Sequence, residues 1–250
     1  MTDLEARSPN HDERRLPVRF VVLHYTGMES GQAARDRLCD PDAKVSAHYL
    51  VWEDGRMESL VPEARRAWHA GVGSWQGVTD MNSASIGIEI VNGGHDFPDA
   101  TGELPAFPPE QVAGVIELVR EVLHRHGLPP EAVIGHSDLA PARKQDPGEH
   151  FPWRELAERG VSIWPDTDEE DRRVLFAPSD RDRGVALAQR ALADIGYGVE
   201  VSGVLDDATR LIVAAFQRRF RPARVDGLVD VQTLARLTAL ADGRLITPEA

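Results

Sequence analysis

The run Ser85 to Val91, Ser-Ile-Gly-Ile-Glu-Ile-Val, alternates with the period of a β-strand. Successive strand side chains point to opposite faces, so Ile86, Ile88 and Ile90 form an apolar stripe while Gly87, Glu89 and Val91 face the other way. A carboxylate in mid-strand, behind such a stripe, needs either a partner or a task. The apolar, β-branched run Val18 to Leu23 predicts a second, buried strand that delivers His24 at its end. Ser46 to Trp52 and Arg56 to Val61 flank Asp54-Gly55, the dipeptide favoured in two-residue hairpin turns. Glu131 to Ile134 is a short apolar strand leading into Gly135-His136. Between these strands, Gly31 to Leu38 reads as a short helix. Pro109 to His126 reads as a long one, with proline in its first turn, Val112, Val115, Ile116, Val119 and Leu123 at helical spacing, and Gly127 as a stop. Strands interleaved with helices predict an α/β domain that ends near Trp164.

Texture changes after that point. Asp166 to Arg173 is so charged that residues 166–182 read as a linker. A helical unit over 183–243 follows, with a first helix at Val185 to Ile195 and an internal near-repeat. Gly203-Val204-Leu205-Asp206-Asp207-Ala208-Thr209 and Gly227-Leu228-Val229-Asp230-Val231-Gln232-Thr233 each lead into an amphipathic helix. The aspartates are natural N-caps and the glycines permit the tight loops before them. Residues 1–17 read as a flexible, solvated arm and 244–250 as a tail.

The chain has 250 residues and a net charge of −13, which argues against nucleic acid as a partner. Cys39 is the only cysteine, so neither an internal disulfide nor a thiolate-rich zinc cluster is available. Nothing in the sequence predicts membrane insertion, and no motif implies a protein partner. Met1 to Leu16 lacks the apolar core of a signal peptide, so the expectation at face value is cytoplasmic, or export to the periplasm or wall by another route.

His24 and His136 each follow a strand, where side chains emerge at a sheet edge. Asp146, before Pro147-Gly148, reads by itself as a turn residue and not as a ligand. Two imidazoles and a carboxylate would leave a zinc ion positively charged with a fourth position open. Glu89 could then serve as base, and Lys144, close to Asp146 in sequence, could meet a developing oxyanion. His48 and Tyr49 must face opposite sides of their strand, so at most one lines a site there. His95, His124, His126 and His150 carry no signal of chemistry.

Several segments occur together and in order: Val22-Leu23-His24-Tyr25-Thr26, Val45 to Val51, Ala67-Trp68-His69-Ala70-Gly71, Ser85 to Asn92, and His136 to Gly148. In these the chain resembles the zinc N-acetylmuramoyl-L-alanine amidases of the amidase-2 type, relatives of phage lysozyme-amidases and of peptidoglycan recognition proteins. The resemblance spans roughly residues 18–165 and implies a central mixed β-sheet flanked by helices. It implies one zinc ion held by His24, His136 and Asp146, with Glu89 as base and Lys144 as oxyanion partner. Tyr25, Tyr49, Trp68, His69, Asn92 and Arg143 become candidates for substrate contact, with support of the metal site as the other role open to His69. The helical unit resembles the three-helix peptidoglycan-binding domain through Leu187, Gln189, Leu192, Gly196-Tyr197, Gly203, Asp206, Thr209, Phe216-Gln217, Asp226-Gly227 and Thr233. The implied reaction is hydrolysis of the amide between N-acetylmuramic acid and L-alanine in peptidoglycan or its muropeptides. Two rivals are a recognition protein that binds without cutting and a recycling enzyme specific for anhydro-muropeptides. The first predicts a lost ligand or base, and none is lost.

Overall fold

The structure, a computed structural model, describes residues 7–248. In chain order the first part contains β1 (His11–Glu13), β2 (Phe20–Tyr25), α1 (Gly31–Cys39), β3 (Tyr49–Val51), β4 (Met57–Ser59), β5 (Arg65–Ala67), α2 (Met81–Ala84) and β6 (Ser85–Ile90). Then come α3 (Pro109–His126), β7 (Val133–Gly135), α4 (His136–Leu139) and α5 (Trp153–Glu158). Five strands form one mixed sheet in the order β4-β3-β6-β2-β7, antiparallel only between β3 and β4. The pattern read from the sequence is the pattern found: a central mixed sheet with helices against it.

Alternation divides the sheet into two chemically different faces. Val21, Leu23, Ile86, Ile88, Ile90 and Val133 pack against Val112, Val115, Ile116 and Val119 of α3. That helix ends where Gly127 adopts a left-handed conformation at φ 62°, a conformation that other residues rarely adopt. On the other face lie Phe20, Val22 and Ile134, continuing toward His24 and Glu89. Among the described residues no helix is long and apolar enough to cross a membrane.

The second part comprises β8 (Val174–Phe176), α6 (Arg183–Ile195), α7 (Asp207–Phe220), β9 (Val229–Asp230) and α8 (Val231–Ala241). The near-repeat is also a structural repeat. Asp206 and Asp230 cap α7 and α8, each accepting from a threonine N–H, of Thr209 and Thr233. Gln189 accepts from Gly203 N–H and donates to Val204 O and Thr209 Oγ1, and Gln217 does the same with Gly227, Leu228 and Thr233. One buried amide thus closes each glycine loop. The module does not stand apart: Val185, Leu192, Tyr197, Phe216 and Phe220 share one apolar core with Phe20, Val22, Trp75, Ile134 and Leu139.

Three expectations of disorder or looseness are corrected. Residues 1–6 of the expected arm lie outside the described residues, but the remainder packs. Asn10 is buried and donates from Nδ2 to Asp40 O and Val45 O, at 2.8 Å each. β1 pairs with β5, and Arg14 donates to the carbonyls of Glu63, Ser83 and Arg65. A polar segment can pack when its polar groups meet loop carbonyls that would otherwise be unpaired. The charged stretch also runs against the module. Arg173 O and Asp171 O accept from Val231 N and Gln232 N, and β8 pairs with β9; the backbone is tied while the charges stay in water. The tail is held by Ile246 N donating to Trp164 O at 3.1 Å, and residues 249–250 lie outside the described residues.

Candidate active site

His24 and Glu89 are register partners on neighbouring parallel strands, β2 and β6, and so share one face. β7 is the other neighbour of β2 and hands the chain to α4, whose first residue is His136. Ser137 N donates to Asp146 O at 2.9 Å, which folds the following loop back on the strand ends. These elements bring His24, His136 and Asp146 together, all buried.

Their heteroatoms form a tight triangle. His24 Nδ1 lies 2.9 Å from His136 Nδ1 and 3.0 Å from Asp146 Oδ2, and His136 Nδ1 lies 2.9 Å from the same oxygen. Ligand atoms bonded about 2.0–2.1 Å from a tetrahedral zinc sit about 3.3 Å apart, so the triangle is close to the size such an ion needs. The outer ring nitrogens determine the tautomers. His136 Nε2 donates to Ala70 O at 2.9 Å, leaving Nδ1 as a bare lone pair. For His24 the constraint passes through a chain. Ser85 Oγ donates to Met81 O at 2.5 Å and accepts from His69 Nε2 at 3.3 Å. His69 Nδ1 is then an acceptor for His24 Nε2 at 3.0 Å, so His24 Nδ1 is also bare. Two bare imidazole nitrogens and a carboxylate oxygen turned toward one another are a donor set for a cation.

The electrostatics agree. Burial, then the neighbouring His136, lowers His24 to about 4, keeping it neutral at pH 7. Burial works to raise the Asp146 carboxyl, but positive charge and hydrogen bonding on the His136 and His24 side outweigh it and hold the group well below the usual carboxylate range. That requires a cation or a shared proton among the three otherwise bare atoms. Glu89 moves the opposite way. Burial and the like charge of Asp146 push it well above the ordinary value, with Lys144 opposing. Glu89 Oε2 is buried with no hydrogen-bond partner among the described residues. An unpaired carboxylate oxygen beside a cation-ready triangle points to a ligand that is not protein.

The cavity over these groups has a volume of about 360 Å³, and its lining includes Tyr25, Trp68, His69, Arg143 and Lys144. Tyr25 belongs by alternation to the α3 side, yet at the end of β2 its ring reaches the cavity. His95, which carried no signal of chemistry in the sequence, also lines the cavity and fixes the Tyr25 hydroxyl. His95 Nε2 lies 3.3 Å from the Glu149 carboxylate and must donate to it; its Nδ1 then accepts from Tyr25 O–H at 3.0 Å. The Tyr25 oxygen keeps its lone pairs free on the cavity side of this bond, and burial pushes its proton affinity up to about 12. His69 supports His24, and a Cβ at Gly87 would collide with its ring, which explains the glycine between Ser85 and Glu89. Arg143 donates to Ala70 O and Val72 O at 2.8 and 2.6 Å, bracing the strip that also receives His136.

Two candidates for substrate contact are corrected. Tyr49 faces the α3 side with Ile88, its register partner, and its hydroxyl donates to Glu63 Oε1 at 2.6 Å, away from the cavity. Its neighbour His48 points to the other face but is roofed by His69, with Nδ1 accepting from Gly87 N–H. Asn92 does not line the cavity either. It donates to Pro105 O at 2.9 Å and accepts from Gly94 N–H at 2.8 Å, shaping the loop that carries His95.

Comparison with known proteins decides the family. Residues 14–149 match the N-acetylmuramoyl-L-alanine amidase family. The chain belongs to that family. Residues 181–237 of this amidase match a peptidoglycan binding domain family. N-acetylmuramoyl-L-alanine amidase AmiD of Escherichia coli strain K12 is 34% identical over 232 residues, covering 90% of this chain and 83% of its own. The 1,6-anhydro-N-acetylmuramyl-L-alanine amidase AmpD of Haemophilus influenzae is 30% identical over 169 residues, covering 60% of this chain and 87% of its own. Among solved structures, E. coli AmiD complexed with anhydro-N-acetylmuramic acid-L-Ala-D-gamma-Glu-L-Lys aligns at TM-score 0.78 and 33% identity, covering 96% of the amidase and 91% of that chain. AMPDH3 of Pseudomonas aeruginosa aligns at TM-score 0.75 and 33% identity, covering 97% of each chain.

Proposed function

We propose that this amidase holds one zinc ion on His24, His136 and Asp146 and hydrolyses the amide between the lactyl group of N-acetylmuramic acid and L-alanine. The carrying observation is the triangle of bare donor atoms beside the unpaired Glu89 Oε2. When bound, zinc supplies Lewis acidity, which makes water a nucleophile near neutral pH. Glu89 takes a proton from the attacking water and delivers it to the departing amide nitrogen, a poor leaving group unless protonated. The raised proton affinity of Glu89 suits it to both transfers. The Lys144 ammonium faces the carbonyl oxygen as it becomes negative; a donor of that kind is typically worth ~3 kcal/mol in the barrier. The C–N bond breaks, the lactyl carboxylate forms and the stem peptide leaves with a free L-alanine amine. Around this centre, the Tyr25 oxygen accepts a substrate N–H, and Trp68 and Arg143 contact the sugar and peptide.

The substrate is wall polymer and its soluble fragments. The helical module binds glycan and raises the local concentration of scissile bonds. Anhydro-muropeptides are also substrates, a reading favoured by relatives named for 1,6-anhydro substrates and by the AmiD complex with an anhydro-muropeptide. Both substrates should be incubated with the zinc-loaded chain and the products weighed. Release of free stem peptide from sacculi and from anhydro-muropeptide is expected. Cleavage of the fragment alone would restrict the enzyme to recycling, and binding without products would make it a recognition protein.

A further inference from the structure

The junction between the two parts of the chain is built from buried charge, and it lands on the metal-bearing segment. Asp138 stands two residues after His136, on α4, with its side chain 1% exposed. Its Oδ1 accepts from Tyr197 O–H at 2.5 Å, and its Oδ2 accepts from Arg219 Nη1 at 2.9 Å and Gly135 N at 2.8 Å. Arg219 is on α7; Tyr197 follows α6. Arg219 also donates from Nη2 to Val133 O at 2.7 Å, the residue that opens β7, and lies 4.6 Å over the Trp153 ring. At the far end of the loop, Arg218 Nε sits 3.5 Å from Glu149, the residue that orients His95. The Tyr197 ring meets Trp75 edge-on at 4.8 Å, and Gln76 N donates to Gly196 O at 2.9 Å.

A buried carboxylate needs a buried partner, and both partners of Asp138 across this junction come from the helical module. A surface meant only to tether would not need to place a guanidinium and a phenol on the helix that begins with a metal ligand. We propose that Tyr197 and Arg219 are positioning residues for the metal site. By fixing Asp138 they fix α4 and the direction of the His136 ring, so hydrolysis depends on the module even for substrates too small to need a tether. The proposal rests on the metal-site reading above.

Point variants of the full chain test it, because removing the module would also strip the shared core. Tyr197→Phe deletes one hydroxyl. Arg219→Met deletes the charge but keeps an apolar stem, and Asp138→Asn with Arg219→Met restores neutrality. Each is assayed by chelator competition for zinc on the metal-free chain, by kcat and KM on soluble anhydro-muropeptide, by melting temperature and by sacculus pull-down. Loss of a group that touches a metal ligand directly typically weakens metal binding ~10–100-fold, and Arg219 and Tyr197 act one contact further out, through Asp138, so that range is the ceiling. We expect a loss near the lower end of that range, about 10-fold, for Arg219→Met and a smaller one for Tyr197→Phe, with kcat falling, KM within about twofold and pull-down intact. The double variant should recover part of the zinc affinity even if Arg219→Met folds poorly. Melting temperatures that fall while zinc affinity and kcat stay at wild-type values would overturn the proposal alone. A wild-type chain that binds no zinc would remove the metal-site reading and this proposal with it.

Discussion

Two sets of buried polar groups, the glutamines that close the loops of the helical module and the cavity groups of the sheet domain, are used in opposite ways. In the helical module, Gln217 spends its amide on its own loop: Oε1 accepts from Asp226 N and Gly227 N while Nε2 donates to Leu228 O. In the sheet domain, Glu89 Oε2 is buried with no hydrogen-bond partner among the described residues, and His24 and His136 turn bare nitrogens toward each other. A polar group that meets backbone is holding the fold. A polar group denied a partner, in a cavity, is held for a ligand, and its cost is carried by the rigid elements around it. Glu89 and His24 can be kept in that condition because they stand on adjacent strands whose reverse faces are locked under α3.

If the two classes are real, substitutions should separate activity from stability. The largest effect belongs to Glu89→Ala: zinc retained, amide cleavage down by ~10²–10⁴-fold, the range of a general base. Full activity would place the base elsewhere. Next is Lys144→Met, for which kcat should fall ~10²–10³-fold with zinc content unchanged; a change in KM alone would make Lys144 a binding residue. Gln217→Leu should invert the pattern. Loop groups left unpaired typically cost ~1–3 kcal/mol, read by chemical denaturation, while turnover of soluble muropeptide per folded molecule stays within about twofold. Equal stability would mean the amide is not holding the loop.

The smallest effect is a gain. In the metal-free chain the Glu89 carboxyl lies above its unfolded value of about 4.3. Below that value both states are protonated and no cost arises. As pH rises past it, the unfolded chain releases the proton while the folded chain resists, so folding loses stability through that window. Glu89→Gln should therefore raise the melting temperature of the chelated protein at neutral pH and make no difference near pH 4. An equal gain at both values would show that the benefit is packing, not charge.

Much of this was legible before the structure. The alternation of Ile86, Ile88 and Ile90 placed Glu89 on the reverse face, and Gly203-to-Thr209 with Gly227-to-Thr233 announced two capped helices. What stayed hidden depends on groups far apart in sequence. Asn10 gives no local sign that Asp40 and Val45 await it, so a packed segment read as a solvated arm. Charged side chains at 166–173 described the surface of that stretch and said nothing of its backbone, which pairs with the module. Alternation sends Tyr49 and His48 to opposite faces, but only the positions of α3 and His69 show that neither reaches the cavity. His95 sits in a loop without periodicity, and its tie to Glu149 and Tyr25 spans residues 25–149.

The central claim is that these three ligands and Glu89 form a zinc site that cuts one amide bond. The direct measurement is mass spectrometry of anhydro-muropeptide incubated with chelated protein, before and after one equivalent of zinc is restored. The account predicts no change without metal. With metal it predicts two products, a stem peptide beginning with a free L-alanine amine and a muramic acid sugar bearing a free lactyl carboxylate. Cleavage by the chelated protein, or cleavage at any other bond, would contradict it.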